Sequence, residues 1–226
     1  MKKHLLTTFL FITFLLSSCV STQGEKEYKA ISFVDIQDTS NHVTTIISYP
    51  VFSNETLLNS EIENYIGERW NNIKNNSSLV YEQEHKESEF IVESSVTKSG
   101  SIISVLLNIY QYSGGANGET ILKSFNYDTK SNTIVDITSA SGYSLEELAS
   151  FSKEYLLSSF RQGLSPDLPE DFIKENEDMI INGIKPTSEV FSNFTLDNSL
   201  LTIYFDEGTV ASYSEGIKKV SLSISK

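Results

Sequence analysis

The chain has very little cysteine, since Cys19 is the only one among 226 residues. A disulfide needs two thiols, so none can form within the chain, and the folded part has to be stable through its hydrophobic core alone. About 200 residues follow the amino-terminal segment, which is enough for one substantial domain or two small domains packed together.

Histidine is almost as scarce, with three in the chain. Zinc sites usually draw on several histidine or cysteine ligands, and beyond the amino-terminal segment only His42 and His85 remain. Four glutamates lie near His85 in the sequence: Glu82, Glu84, Glu87 and Glu89. We interpret this acidic stretch as a solvated strand edge or loop, and we expect no metal.

The sequence patterns of common catalytic sites are also missing. There is no Gly-x-Ser-x-Gly elbow, no His-Glu-x-x-His, no P-loop and no Rossmann glycine fingerprint. Ser113 precedes two glycines, but a nucleophilic serine needs a positioned base that the sequence does not place. Asp206 and Glu207 are adjacent at a strand end, where neighbouring side chains point to opposite faces. We therefore expect no catalytic residue and no cofactor. An accessory or catalytic role in peptidoglycan or polysaccharide modification is the alternative.

Positive charge is in short supply, with 17 lysines and arginines against 30 acidic residues and a formal net charge of −13. Such a surface repels nucleic acid and anionic lipid headgroups and attracts cationic partners. We expect no nucleic-acid partner. Simple solubility of a surface protein accounts for the same charge.

The amino terminus has the features of a lipoprotein signal peptide. Lys2 and Lys3 precede an apolar run over residues 5–16, which is short for a permanent membrane span. The run ends in Leu-Ser-Ser-Cys19, the form of a lipobox, whose cysteine receives diacylglycerol. An ordinary signal peptide cleaved near Ser18 is the alternative.

This segment predicts how the protein is anchored. Residues 1–18 are the expected signal peptide, and residues 19–27 a polar, lipidated tether. Acyl chains gain about 0.8 kcal/mol per buried methylene, so two or three of them hold a protein at a membrane. We expect an extracytoplasmic protein, lipid-anchored through Cys19 to a bacterial membrane. In a cell with two membranes this would be the outer membrane or the cell surface.

From residue 28 the hydrophobic pattern alternates between hairpins and helices. The apolar stripe over 58–73 predicts a helix that ends at 75–78. Ser144 and Glu147 form a capping box that begins a second helix, and Pro169 begins a third. Strands are predicted at 28–36, 43–51, 90–96, 102–112, 120–128, 133–138, 190–196, 200–205 and 217–224. This order predicts an α+β fold, a mainly antiparallel sheet with two or three helices packed on one face.

A glycine-rich loop follows the strand at 102–112. The sequence from Tyr110 is Tyr-Gln-Tyr-Ser-Gly-Gly-Ala-Asn-Gly-Glu-Thr. Gly114, Gly115 and Gly118 permit positive φ and close backbone approach. A turn between two strands is the simplest interpretation.

This loop and four other segments resemble a known family. The Tyr-x-Tyr-x-Gly-Gly-Ala-x-Gly pattern at 110–118, followed by 125–128 and 133–138, is similar to DUF3298, a small extracytoplasmic domain of unknown function. Segments 193–205 and 210–216 resemble the closing strands and final turn of that family. Two positions depart from the family. Asn117 stands where histidine is usual, and Ser212 replaces a proline.

The resemblance covers roughly residues 28–226 and implies both an organisation and a function. The family often follows another domain, DUF4163, which implies a DUF4163-like part at 28–100 and a DUF3298-like part at 101–226, packed as one unit. The pair occurs in the lysozyme-sensing ectodomain of an anti-sigma factor and ahead of the catalytic domain in some peptidoglycan deacetylases. A non-catalytic binding module is thus implied, for a cell-envelope component such as peptidoglycan or for a cationic, lysozyme-like protein. The candidate ligand-binding residues are Tyr110, Tyr112, Gly114, Gly115, Asn117, Gly118, Asp206, Glu207 and Tyr213.

Overall fold

A computed structural model describes residues 31–224. The predicted signal peptide (1–18), the tether (19–27) and Cys19 lie outside the described residues, as do the first three residues of the strand predicted from residue 28. Across 31–224, no helix is both long enough and apolar enough to cross a membrane.

The first part of the chain forms a six-stranded sheet. Its strands are β1 (Ile31–Ser40), β2 (Val43–Phe52), β3 (Ser88–Ser99), β4 (Ile102–Tyr112), β5 (Glu119–Asp128) and β6 (Thr133–Ile134). They lie side by side in sequence order, and every pair is antiparallel except β2 with β3. A two-residue turn of Asn41 and His42 closes the first hairpin, and both residues have positive φ.

The long helix α1 (Thr56–Glu84) makes the crossover that the parallel pair β2–β3 requires. One face of α1 packs on the sheet, and its buried residues are Leu58, Ile62, Ile66, Ile73 and Ser77. They share a core with alternate residues of β3 and β4, among them Phe90, Val92, Val105, Leu107 and Ile109. This core fixes α1 over one face of the sheet.

A second sheet and three helices follow. The helices are α2 (Ile137–Ser141), α3 (Leu145–Gln162) and α4 (Glu170–Gly183), and the antiparallel strands are β7 (Phe194–Asp197), β8 (Leu200–Phe205) and β9 (Lys218–Ser223). A separate core joins α3 and α4 to these strands, with Leu148, Ile180, Leu196, Phe205 and Val220 among its members. The capping box predicted at Ser144 and Glu147 is confirmed.

The predicted α+β class with mainly antiparallel pairing is confirmed, although the strands divide into two sheets. The helices divide accordingly, with α1 on the larger sheet and α3 and α4 on the smaller one. The boundary predicted between residues 100 and 101 falls in the turn between β3 and β4. The two-part organisation stays a prediction.

Four predicted element ends were wrong by four residues or more. The strand expected to end at residue 36 continues to Ser40, because it pairs with β2 along its whole length up to Val43. The helix does not end at 75–78, because Ser77 is buried and its hydroxyl donates to the Asn41 carbonyl at 2.6 Å, so the helix continues to Glu84. The strand expected over 133–138 covers only Thr133–Ile134, because Asp136 caps α2. The strand expected from residue 190 begins at Phe194, since a preceding turn buries Phe191.

Candidate functional site

The glycine-rich loop is held against the end of α1. The Gly115 N–H donates to Glu84 Oε2 at 2.8 Å, and the Gly115 carbonyl accepts from Lys86 Nζ at 2.9 Å and from the Tyr112 hydroxyl at 3.0 Å. Gly114 and Gly115 have φ of 94° and 86°, which favours glycine at both positions. The predicted residues of this loop therefore have contacts that fix its shape.

Tyr110 has a similar packing role. Its ring lies where a Cβ atom at position 118 would be, which explains the third glycine, Gly118. Asn117 is exposed on the loop. Ligand binding by these loop residues stays a prediction.

A small cleft of about 210 Å³ lies beside this loop. Seven residues line it: Arg69 from α1, Glu119, Thr120 and Ile121 from the start of β5, and Asp206, Glu207 and Tyr213 from the segment after β8. The structure thus brings together three of the predicted residues, which come from the end of the chain. It also sets them next to the residues that follow the glycine-rich loop.

The turn that carries Asp206 is fixed by its neighbours. The Thr209 N–H donates to the Asp206 carbonyl at 3.1 Å, and Val210 is fully buried. Gly183, at the end of α4, lies so close that a Cβ atom there would collide with the Thr209 carbonyl oxygen. The acidic side of the cleft is therefore attached to α4.

The carboxyl of Asp206 lies in a partly desolvated and acidic environment. Partial burial is the main cause that raises the pKa of the Asp206 carboxyl, although the residue as a whole is exposed. A hydrogen bond from the Leu122 N–H lowers the pKa, while Glu207 and Glu119 raise it. The Tyr213 hydroxyl bonds to Glu207, and this bond raises the pKa of Tyr213.

Arg69 brings the positive charge to the cleft. Its guanidinium lies 4.8 Å from the ring centre of Tyr65, and its Nε is buried without a hydrogen-bond partner. None of the three ion pairs found between described residues includes Arg69. Arg69 was not among the residues predicted from the sequence. The sequence contained a sign that Arg69 faces the interior, because Arg69 continues the helical spacing of Ile62, Ile66 and Ile73 on the face of α1 that packs on the sheet.

The edge of β5 forms another part of the cleft. β6 pairs only with Tyr127 and Asp128 at the far end of β5, so it does not cover the start of the strand. Farther along this edge, the Asn193 side chain accepts from the Ser124 N–H and donates to the Leu122 carbonyl, both at 3.1 Å. Backbone groups of alternate residues point to the same side of a strand. The N–H and C=O of Thr120 therefore point outward, as those of Leu122 do.

A second surface depression, of about 470 Å³, lies on α4. It is lined by Asp171, Lys174, Glu175, Asp178, Met179 and Asn182. All six come from one helix, so no groups from different elements converge there. The cleft beside β5 is the better candidate site.

Two family models match this chain. Residues 36–120 match the model described as "Deacetylase PdaC", and residues 137–225 match "Protein of unknown function (DUF3298)". The resemblance to DUF3298 is thus confirmed over 137–225, which includes the segments 193–205 and 210–216. The pattern at 110–118, from which it was also predicted, lies instead in the stretch that matches the PdaC model, and the likeness to DUF4163 stays a prediction. Arg69 and Glu119 of the cleft lie in the first matched stretch, and Asp206, Glu207 and Tyr213 lie in the second.

One curated relative and two solved structures are similar over most of the chain. The peptidoglycan-N-acetylmuramic acid deacetylase PdaC of Bacillus subtilis is 23% identical over 207 residues, which cover 88% of this chain and 41% of that protein. The chain thus spans about two fifths of the length of this relative. A DUF3298 family member from Bacteroides fragilis has a TM-score of 0.58 at 17% identity, covering 88% of this chain and 92% of that one. A DUF3298 family protein from Pseudomonas aeruginosa has a TM-score of 0.55 at 14% identity, covering 87% and 91%. At these identities the two structures show the fold alone.

Proposed function

We propose that this protein is a non-catalytic binding module of the bacterial cell envelope, lipid-anchored through Cys19, which binds its ligand in the cleft between α1, β5 and the turn after β8. The observation that carries the proposal is the convergence of charged and aromatic groups from three separate elements on one cavity. The name of the Bacillus relative supports peptidoglycan as the ligand. The net charge of −13 supports a cationic protein such as lysozyme.

Calorimetric titration of the full chain, in constant detergent, tests the proposal. The ligands are soluble peptidoglycan fragments, chitooligosaccharides and lysozyme. We expect at least one of them to bind, and we expect the double variant Asp206→Asn, Glu207→Gln to weaken that binding. The matched control is Glu175→Gln with Asp178→Asn, which removes the same charge from exposed positions on α4.

Three results would contradict the proposal. One is the absence of binding to any of the ligands. Another is an equal loss of binding affinity in the two double variants, which would mean that the net charge of the protein alone attracts the ligand. The third is release of acetate from the fragments by the purified chain, with loss of that release in Asp206→Asn, which would indicate catalysis.

The anchor has its own test, since Cys19 lies outside the described residues. Cells that express the chain are labelled with a fatty acid, and the wild type is compared with Cys19→Ser. We expect the label only in the wild type. Fatty-acid label on the Cys19→Ser variant would show that the lipid is not attached to Cys19.

A further inference from the structure

We infer that the cleft binds a compact zwitterion, the amino-acid end of a molecule in which an ammonium and a carboxylate are attached to the same carbon. The inference rests on the proposed function and names the chemistry of its ligand. Arg69 faces the carboxylate, and Glu119, Asp206 and Glu207 face the ammonium.

Opposite charges line the cleft without pairing with each other. The ion pairs between described residues are Lys86 with Glu84, Arg161 with Glu177, and Lys218 with Glu215. Arg69 therefore lies more than 4.0 Å from the carboxylates of the cleft. The positive and the negative charges of the lining are therefore not neutralised by each other and can attract a ligand that carries both charges.

The lining of the cleft carries charges of both signs, three carboxylates and one guanidinium. A simple anion meets three carboxylates, whereas a simple cation is attracted by them but leaves the guanidinium of Arg69 without an opposite charge. A zwitterion places each of its charges next to an opposite one, and charge-assisted hydrogen bonds of this kind are stronger than neutral ones. The guanidinium of Arg69 has no ion-pair partner among the described residues, and a ligand carboxylate provides one.

The cleft is small enough to restrict the size of its ligand. Its 210 Å³ equals about seven water molecules at ~30 Å³ each. Pockets for drug-sized ligands measure about 300–1,000 Å³, so this cleft accommodates one small group. The outward N–H and C=O of Thr120 can bond the amide that follows such a group in a peptide.

Three probes with related carbon chains test the inference by calorimetry on the full chain. Diaminopimelate carries two zwitterionic ends, pimelate lacks the ammonium groups, and 1,5-diaminopentane lacks the carboxylates. We expect diaminopimelate to bind about tenfold or more tightly than either of the other two, because each of them lacks one charged contact.

Variants of Arg69 then identify the carboxylate contact. Arg69→Gln should weaken binding of diaminopimelate by about tenfold or more and leave 1,5-diaminopentane unchanged or bound more tightly, because a like charge has been removed. Arg161→Gln is the matched control, since Arg161 pairs with Glu177 away from the cleft, and it should change neither affinity. Thermal unfolding of both variants checks that they are folded.

Three outcomes would overturn the inference: equal binding of 1,5-diaminopentane, an unchanged affinity in a folded Arg69→Gln variant, or no binding of diaminopimelate. None of them decides the proposed function, which depends on the titrations with fragments and lysozyme. A peptidoglycan fragment with a free diaminopimelate end distinguishes the source of the zwitterion. Tighter binding of the fragment than of free diaminopimelate supports the wall peptide as the source, and equal binding supports the free amino acid.

Discussion

The side-chain amide of Asn126 donates to the main-chain carbonyl of Phe194 at 2.9 Å, and this bond joins the two sheets. The same amide accepts from the Ser104 hydroxyl at 2.6 Å. Ser104 and Ser124 in turn accept from main-chain N–H groups of β7, both at 3.0 Å. One edge of β7 thus pairs with β8, while polar side chains of β4 and β5 bond the other edge. Together with the bonds of Asn193 to Ser124 and Leu122, these hydrogen bonds hold the two sheets together along the edge of β5.

Asn126→Ala should therefore reduce the free energy of unfolding by about 2–3 kcal/mol, because it leaves buried partners without hydrogen bonds. Urea denaturation measures the change. Asn76→Ala is the control, since Asn76 is exposed on α1 and bonds only within its own helix, and a change of about 0.5 kcal/mol or less is expected. Equal losses in the two variants would mean that the buried amide does not stabilise the joint.

The fold was predicted where local chemistry decides it. The capping box at Ser144 depends on residues close in sequence, and it was found where expected. The continuation of α1 past Ser77 was missed, because it depends on a bond to Asn41, which lies 36 residues earlier in the chain. The division into two sheets was missed for the same reason, since Asn126 and Phe194 are 68 residues apart.

Ser144→Ala should destabilise the protein by about 1 kcal/mol, because the Ser144 hydroxyl accepts from the Glu147 N–H at the start of α3. The free energy of unfolding from urea denaturation measures this loss. Ser159→Ala should have no effect or a small stabilising one, since Ser159 is exposed within the same helix and alanine is the better helix former. A loss at both positions would indicate that the cap is not the cause.

The glycines of the chain provide a second pair with opposite expected signs. Gly183→Ala should cost about 1–3 kcal/mol, because the new Cβ meets the Thr209 main chain, which cannot rotate away. Gly67→Ala should stabilise by up to about 1 kcal/mol, since Gly67 lies within α1 and a Cβ there meets nothing within 4 Å. Urea denaturation of the two variants measures both changes in the free energy of unfolding. A neutral Gly183→Ala would mean that the acidic turn is not fixed against α4.

The candidate site was predicted only in part, for a physical reason. Asp206, Glu207 and Tyr213 were selected because the family resemblance and the strand end mark them in the sequence. Arg69 was not, since the sequence does not show which helical residue faces a turn more than 130 residues later. Its position in the apolar spacing of α1 was the available signal, and a charged residue there needs a partner.

Asp206→Asn should give a pH-dependent gain in stability. Because burial and the nearby carboxylates raise the pKa of Asp206, ionising it costs the folded protein more than the unfolded chain. This cost is absent below the ordinary aspartate pKa of about 3.9 and is fully present above the raised pKa. Asparagine carries no charge, and its oxygen can still accept from the Leu122 N–H. The variant should therefore match the wild type at pH 3 and be more stable at pH 7.

Asp128→Asn is the control with the opposite sign. Hydrogen bonds from Ser101, from the Lys130 N–H and from Ser131 lower the pKa of Asp128, so its ionised form stabilises the folded state above the ordinary pKa. This variant should be less stable than the wild type at pH 7, and the difference should shrink as the pH falls through the lowered value. Thermal unfolding of the three proteins from pH 3 to pH 8 separates the two cases. Binding sites commonly hold a charge at the expense of stability. If Asp206→Asn were also less stable at pH 7, Asp206 would instead be a stabilising carboxylate like Asp128, and the cleft would not be such a site.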